Sequence, residues 1–210
     1  MEWLRESEYL LNTPKTERGW NTLFNICEAA ERAFYEKGYN NTSVIDITQA
    51  AGVGSGTFYI YFDTKLSIYK YLLTSYHHDI RKNIYEHIKN IQGRRKQERE
   101  GLRYWFDYVE HHRFVFNITW ESFFIDKELF DDYYSSFAKS YIKRLEASRD
   151  EGEIADDIDL EVLSFILMGI ANFLAVHWVV FKNNSDYDKL TDQTMKILTQ
   201  GMFSPEEQDK

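Results

Sequence analysis

The stretch Thr42–Lys65, TSVIDITQAAGVGSGTFYIYFDTK, reads as two very short helices with a tight glycine turn between them. Ser43 followed by Asp46 has capping-box spacing, with Asp where Glu is commoner, so a helix can start at Val44. Val44, Ile47, Ala50 and Ala51 then share one apolar face. Gly52 can adopt a positive φ and end that helix. A second helix can run from about Ser55 to Phe62. It carries no charge and few bulky aliphatics, and it has hydroxyls at Ser55, Thr57, Tyr59 and Tyr61. Such residues suit a helix laid into a DNA groove better than a core helix. Hydroxyls and glycine backbone approach phosphates and base edges closely.

The pattern extends upstream through Ile26, Ala29, Ala30, Phe34, Glu36, Gly38 and Tyr39. It continues through Thr42-Ser43-Val44, Asp46-Ile47, Ala50-Ala51-Gly52-Val53, Gly56-Thr57-Phe58-Tyr59, Tyr61-Phe62 and Lys65. In this register the segment resembles the helix-turn-helix of TetR-family transcriptional repressors, a far more specific signal than a lone short motif. The rest of the chain fits that family only in length and helical character. The resemblance implies an all-α protein: an N-terminal three-helix DNA-binding domain at 15–64, joined to a C-terminal helical ligand-binding and dimerisation domain at 65–203. An extension at 1–14 and a polar tail at 204–210 flank them. It implies that Thr42 and Ser43 contact phosphate at a helix N-terminus. Ser55, Gly56 and Thr57 approach base edges, Tyr59 and Tyr61 contact backbone or bases, and Lys65 pairs with phosphate. The chain departs from the family pattern at Gly54 and Ser55, where Ser and Lys are frequent, so one phosphate or guanine contact is lost.

Charge runs against nucleic-acid binding. The 210 residues carry a formal net charge of −9. Residues 1–65 hold six Lys and Arg against nine Asp and Glu. Backbone affinity for DNA usually comes from cations that neutralise phosphates. This head must bind with few cations, neutral donors and helix N-termini, and two heads in a dimer become more necessary. The remaining composition is that of a globular helical protein, with 43% hydrophobic residues, only Pro 2 and Gly 10, and a high aromatic share of 17%. The one cysteine, Cys27, cannot form an internal disulfide and suits a reducing cytosol. Glu2, Arg5, Glu6 and Glu8 make the N-terminus unlike a secretory signal, so a cytoplasmic location is expected.

In chain order, Trp3, Leu4, Leu10 and Leu11 make a short helix packing on the body the plain reading of the extension, ended by Asn12-Thr13-Pro14. A minor-groove arm would use Arg or Lys, and this segment is acidic. Thr16–Lys37 is a long helix, capped by Thr16 and closed by Gly38, with Trp20, Leu23, Phe24, Cys27, Ala30 and Phe34 on one stripe. Cys27 on that stripe reads as packing. Lys65 to about Ile91 is a second long helix. His77-His78 within it point about 100° apart, so they read as polar residues and not as a metal pair. The basic run Gly93–Glu100 reads as a solvated loop and helix start, with a nucleic-acid patch as the sharper alternative.

Aromatic residues then crowd onto helical faces: Leu102, Trp105, Phe106 and Val109; Phe116, Trp120, Phe123 and Phe124; and Phe130, Tyr134, Phe137, Tyr141 and Leu145. A filled core accounts for most of them. Rings this large on neighbouring short helices also leave room for a cavity holding a hydrophobic small molecule. Trp105, Phe106, Phe116, Trp120, Phe123, Tyr134, Phe137 and Tyr141 are its candidate lining, and Asn172, Asn117, Thr119 or Glu121 would orient the ligand. Beyond the polar break at Glu151–Asp159, Val162–Phe181 lacks Asp, Glu, Lys and Arg. It is long enough to span a membrane, but Ser164, Gly169, Asn172 and His177 interrupt it and no comparable segment exists. A helix apolar all round is also one buried on both faces. The resemblance implies a four-helix homodimer interface built from Leu160–Phe181 and Tyr187–Met202.

No P-loop, no GxSxG, no His-Glu-x-x-His and no paired cysteines occur. No enzyme activity, cofactor or metal is expected. The function expected is a ligand-responsive transcriptional regulator that represses, binds a pseudo-palindromic operator as a homodimer, and is released by a hydrophobic small molecule. The alternative is a ligand-binding helical dimer with weak or lost DNA binding that acts through a protein partner. The acidic head favours the alternative, and the motif favours the first.

Overall fold

The computed structural model of the protein describes residues 7–182 and 186–202. The expectations for Trp3 and Leu4, and for the polar tail at 204–210, lie outside the described residues. All regular elements within the described residues are helices: α1 (Glu17–Lys37), α2 (Val44–Ala50), α3 (Ser55–Tyr61), α4 (Lys65–Ile88), α5 (Arg94–His111), α6 (Arg113–Ile125), α7 (Lys127–Asp150), α8 (Leu160–Leu174) and α9 (Tyr187–Gln200). The segment Ala175–Phe181 continues α8 as a π-helix. The chain divides into two compact units, residues 1–83 with 112–141 and residues 84–111 with 142–210.

In the first unit, Thr16 caps α1 through a bond from the Gly19 N–H (3.1 Å), and Gly38 at φ 75 closes it on the Phe34 carbonyl. Ser43 and Asp46 form the reciprocal capping box of α2, and Gly52 turns the chain at φ 67. The apolar face of α2 differs from the one the spacing predicts. Ala50 is exposed, and Thr48 is buried in its place with its hydroxyl on the Ile45 carbonyl. The core holds Leu23, Ile26, Ala30 and Phe34 of α1, Ile47 of α2, Phe58 of α3 and Ile68, Tyr69 and Leu72 of α4. It also recruits Ile118 of α6 and Leu129 of α7. Cys27 packs beside this core, and burial pushes its thiol far above the ordinary range, as its stripe position implies.

The described part of the N-terminal extension is not a helix. Residues 7–14 run as turns and bends. Leu10 enters the core, the Leu11 N–H bonds the Tyr61 carbonyl (2.9 Å) and Asn12 Nδ2 bonds the Ile60 carbonyl (2.6 Å). Both carbonyls lie at the C-terminal end of α3, where a helix leaves acceptors without internal partners. The extension satisfies them, and that competes successfully with helix formation in so short a segment.

In the second unit, Ile88, Phe106, Val109, Leu145, Leu160, Met168, Ala175, Val179 and Tyr187 are buried. The basic run forms the start of α5 with Arg95 and Lys96 exposed, as a solvated helix start implies, but Arg94 differs. Arg94 is buried, pairs with Glu98, and gives its backbone N–H to the Glu153 carboxylate. Arg99 reaches Asp192 (2.9 Å) and Asp188 (3.4 Å) and so ties α5 to α9. Arg99 thus holds two helices together, while the Arg94 guanidinium pairs within α5. A different apolar surface faces solvent: Val162, Phe165 and Ile166 on α8, Phe173 near its end, Phe181 at the end of the π-helix, and Ile197 on α9.

Candidate nucleic-acid interface

The residues expected to contact DNA lie just before α2, on α3 and at the start of α4. Their local order follows from backbone chemistry. The Ser43 hydroxyl accepts from the Asp46 N–H (3.1 Å), and the Asp46 carboxylate accepts from the Ser43 N–H (2.8 Å). Lys37 adds an ion pair to the same carboxylate (2.9 Å). The Ser43 hydroxyl first and Lys37 second hold Asp46 well below the usual carboxylate range. The α2 N-terminus therefore carries a fixed negative charge that is paired.

The expected contact residues fall into two groups. Ser43, Ser55, Gly56 and Tyr59 are exposed and Thr57 is half-buried. Thr42, Tyr61 and Lys65 are turned inward. Thr42 is buried, and its hydroxyl donates to the carbonyls of Ala33 (3.1 Å) and Gly38 (2.8 Å). Tyr61 is buried, and its hydroxyl donates to the Gly19 carbonyl (3.2 Å). The Lys65 ammonium donates to the carbonyls of Tyr39 and Thr42 (2.6 Å each) and lies 4.2 Å from the Tyr39 ring centroid. Desolvation lowers the Lys65 pKa from its ordinary value, partly offset by Glu121 and Asp46. These three side chains position the two helices.

The solvent face of α3 consists of Ser55, Gly56, Tyr59 and Ile60, with Gly54 just before it. Neither Gly54 nor Gly56 is required by the fold. Gly54 has an ordinary φ of −75, Gly56 sits in the helix, and a Cβ added at either would meet no atom within 4 Å. Glycine costs a helix about 1 kcal/mol relative to alanine. Internal packing gives no return for that cost here, whereas close approach of an outside molecule to the backbone would. No side chain caps α3 at Gly54. Ile45 and Ile60 are exposed apolar residues on α2 and α3 that the sequence reading did not select. The absence of a polar group at either position hid them, and only their exposure reveals them.

The residues expected to line a ligand cavity divide between the units. In the first, Phe116 and Trp120 stack with centroids 5.8 Å apart, Phe123 meets Phe130 edge-on at 5.2 Å, and Tyr134 lies 4.8 Å from Phe130. Phe123 is partly open to solvent, Phe124 is 86% exposed, and Tyr141 is half-buried. Phe137 and Tyr133 flank the His77 ring at 5.8 and 5.0 Å. Burial raises the Tyr134 phenol above its ordinary pKa and pushes Tyr133 up to about 12. In the second unit, Phe106 lies 6.0 Å from Tyr187, Trp105 Nε1 donates to the Ala171 carbonyl (3.3 Å), and Asn172 is half-buried. Of the polar groups considered for orienting a ligand, Thr119 bonds the Val115 carbonyl within α6 and Glu121 accepts from the Tyr39 N–H (2.7 Å). Asn117 is exposed.

Residues 26–72 match the family model for bacterial regulatory proteins of the tetR family. Over 61 residues the chain is 43% identical to the HTH-type transcriptional regulator TtgR of Pseudomonas putida, a match covering 29% of each protein. Over 190 residues it is 23% identical to YdgC, an HTH-type transcriptional regulator of Bacillus subtilis, covering 89% of this chain and 95% of that protein. The crystal structure of the transcriptional regulator FadR from Bacillus subtilis in complex with stearoyl-CoA is similar with a TM-score of 0.76 at 19% identity, covering 86% of this chain and all of that one. At that identity the likeness is one of fold.

Proposed function

The chain belongs to the TetR family of bacterial transcriptional regulators, and from that premise we propose that it is a repressor that binds a pseudo-palindromic operator as a homodimer and is released by a hydrophobic small molecule. The observation that carries the reading is the outer face of α3. Gly54, Ser55, Gly56, Tyr59 and Ile60 present backbone, a hydroxyl, a phenol and one aliphatic side chain to solvent, with glycines the fold itself does not need. Such a surface suits close docking in a major groove, with Tyr59 and Ser55 donating to phosphate or base edges and Ile60 available to thymine methyls. Thr42, Tyr61 and Lys65 serve the same end from inside, by fixing the two helices.

Dimerisation is supported by the exposed apolar stripe of Val162, Phe165 and Ile166 on α8, with Ile197 on α9. The span Leu160–Phe181 is long and apolar enough to cross a membrane, yet only 22% of its most apolar window is buried. A second copy of the same surface covers such a face by two-fold symmetry and places two reading heads on one operator. For the effector, the ring clusters around Phe116, Trp120 and Phe130 favour an apolar ligand. The FadR neighbour was solved with stearoyl-CoA, which makes long-chain acyl thioesters the first class to test.

The test is binding of the purified protein to duplex DNA selected from a randomised pool, measured across a salt series. Sequence-dependent binding that weakens steeply with salt is the expected result. No sequence-dependent binding at low salt would overturn the operator reading and leave the partner-protein alternative, which the acidic head favours. Stearoyl-CoA added to the complex is expected to release the DNA.

A further inference from the structure

Tyr39, in the turn between α1 and α2, is held on every side within the first unit. Its carbonyl accepts from Lys65 of α4, its ring meets Phe34 (5.7 Å) and Tyr69 (5.1 Å), and its backbone N–H donates to Glu121 of α6. The turn it occupies leads directly into Thr42 and the Ser43 cap of α2. The Glu121 carboxylate also fills the space above Gly38, where an added Cβ would lie 3.0 Å from Oε1. A carboxylate on a helix from the far half of the sequence therefore fixes the backbone from which α2 starts. The Lys65 ammonium, whose pKa Glu121 helps to hold up, is the nearby cation that favours a carboxylate there. On α6, Glu121 shares its face with Ile118, whose carbonyl accepts from Tyr69 (2.6 Å), while Phe116, Trp120 and Phe123 occupy the opposite face.

We propose that Glu121 is a positioning residue for DNA reading: by accepting the Tyr39 N–H it sets the α1–α2 turn, and with it the placement of α2 and α3 on the operator. This rests on the operator-binding reading above. A charge-assisted bond to a backbone N–H is short and directional, so it restrains the turn more tightly than apolar contact alone. Glutamine at this position keeps an acceptor oxygen at the same reach. Aspartate keeps the charge but is one methylene shorter and cannot reach the N–H from the same helical position.

The experiment compares Glu121→Ala, Glu121→Gln and Glu121→Asp with the wild-type protein, using the selected duplex, at a temperature well below unfolding. Glu121→Ala and Glu121→Asp are expected to bind the operator about tenfold more weakly, the size of a lost hydrogen bond to a charged group. Glu121→Gln, which keeps an acceptor but loses the charge, is expected to bind about threefold more weakly, and Tyr39 amide exchange is expected to accelerate most in the first two. If Glu121→Ala fails to fold, Glu121→Asp carries the same comparison. Wild-type affinity in Glu121→Asp, or a loss in Glu121→Gln equal to that in Glu121→Asp, overturns the proposal. Failure of the wild-type protein to bind any duplex overturns the operator reading, and this proposal with it.

Discussion

Replacing Gly56 by alanine should move stability and DNA binding in opposite directions. Gly56 lies one residue inside the N-terminus of α3, is exposed, and has helical backbone. A Cβ there would meet nothing within 4 Å, so the methyl is expected to cause no clash inside the protein. Alanine also has fewer unfolded conformations to lose than glycine. Together these effects should stabilise the fold by about 0.5–1 kcal/mol. For a chain of this length that is a rise in Tm of about 1–4 °C. On the operator, the same methyl stands where backbone must approach a base edge or phosphate. Losing one good contact costs about 1–3 kcal/mol, so binding should weaken about 5- to 150-fold. No charge is removed, so the slope of affinity against salt should not change. The assays are thermal unfolding by circular dichroism at one fixed protein concentration and fluorescence anisotropy with the selected duplex. A variant that is more stable and still binds at wild-type affinity would show that the outer face of α3 does not touch DNA. A fall in Tm would show that Gly56 is required by the fold, against the geometry.

Two further outcomes follow from other parts of the structure. His77 Nε2 is buried without a hydrogen-bond partner among the described residues, and desolvation first, with Arg81 and His78 adding to it, pushes its pKa down to about 4. Because the unfolded chain takes up this proton more readily, the stability that the neutral ring contributes is complete above about pH 6.5 and is lost as pH falls toward 4, by at most about 3 kcal/mol. His77→Phe, which keeps a ring against Tyr133 and Phe137, should match or exceed the wild type at pH 7 and gain on it steadily toward pH 4 in chemical denaturation. Parallel stability curves would refute that account. On α8, Ile166→Glu places a charge in the exposed apolar stripe and is expected to yield monomers in sedimentation equilibrium, with weaker operator binding. A dimer of unchanged strength would move the interface elsewhere.

The local structure of the reading head was legible in the residues themselves, because it depends on neighbours in sequence. The Ser43–Asp46 cap, the Gly52 turn, the Thr16 cap and the Gly38 stop each rest on partners a few residues apart, and each appears where its spacing places it. The absence of charge on α3 and the apolar run on α8 were equally plain. Which way the side chains point was another matter. Thr42, Tyr61 and Lys65 have the chemistry of phosphate contacts, yet their partners are the carbonyls of Ala33, Gly19 and Tyr39, on helices or turns that periodicity does not connect to them. Arg94 reads as a solvated cation and is instead buried, its guanidinium on Glu98 and its backbone N–H on Glu153. Residues 7–14 lose their expected helix to the open carbonyls of α3, and Glu121 becomes the acceptor for Tyr39. Local spacing and capping chemistry determined where each helix begins and stops. Only tertiary packing, which brings unsatisfied donors and acceptors together across the chain, decided which polar side chains remain free for a partner.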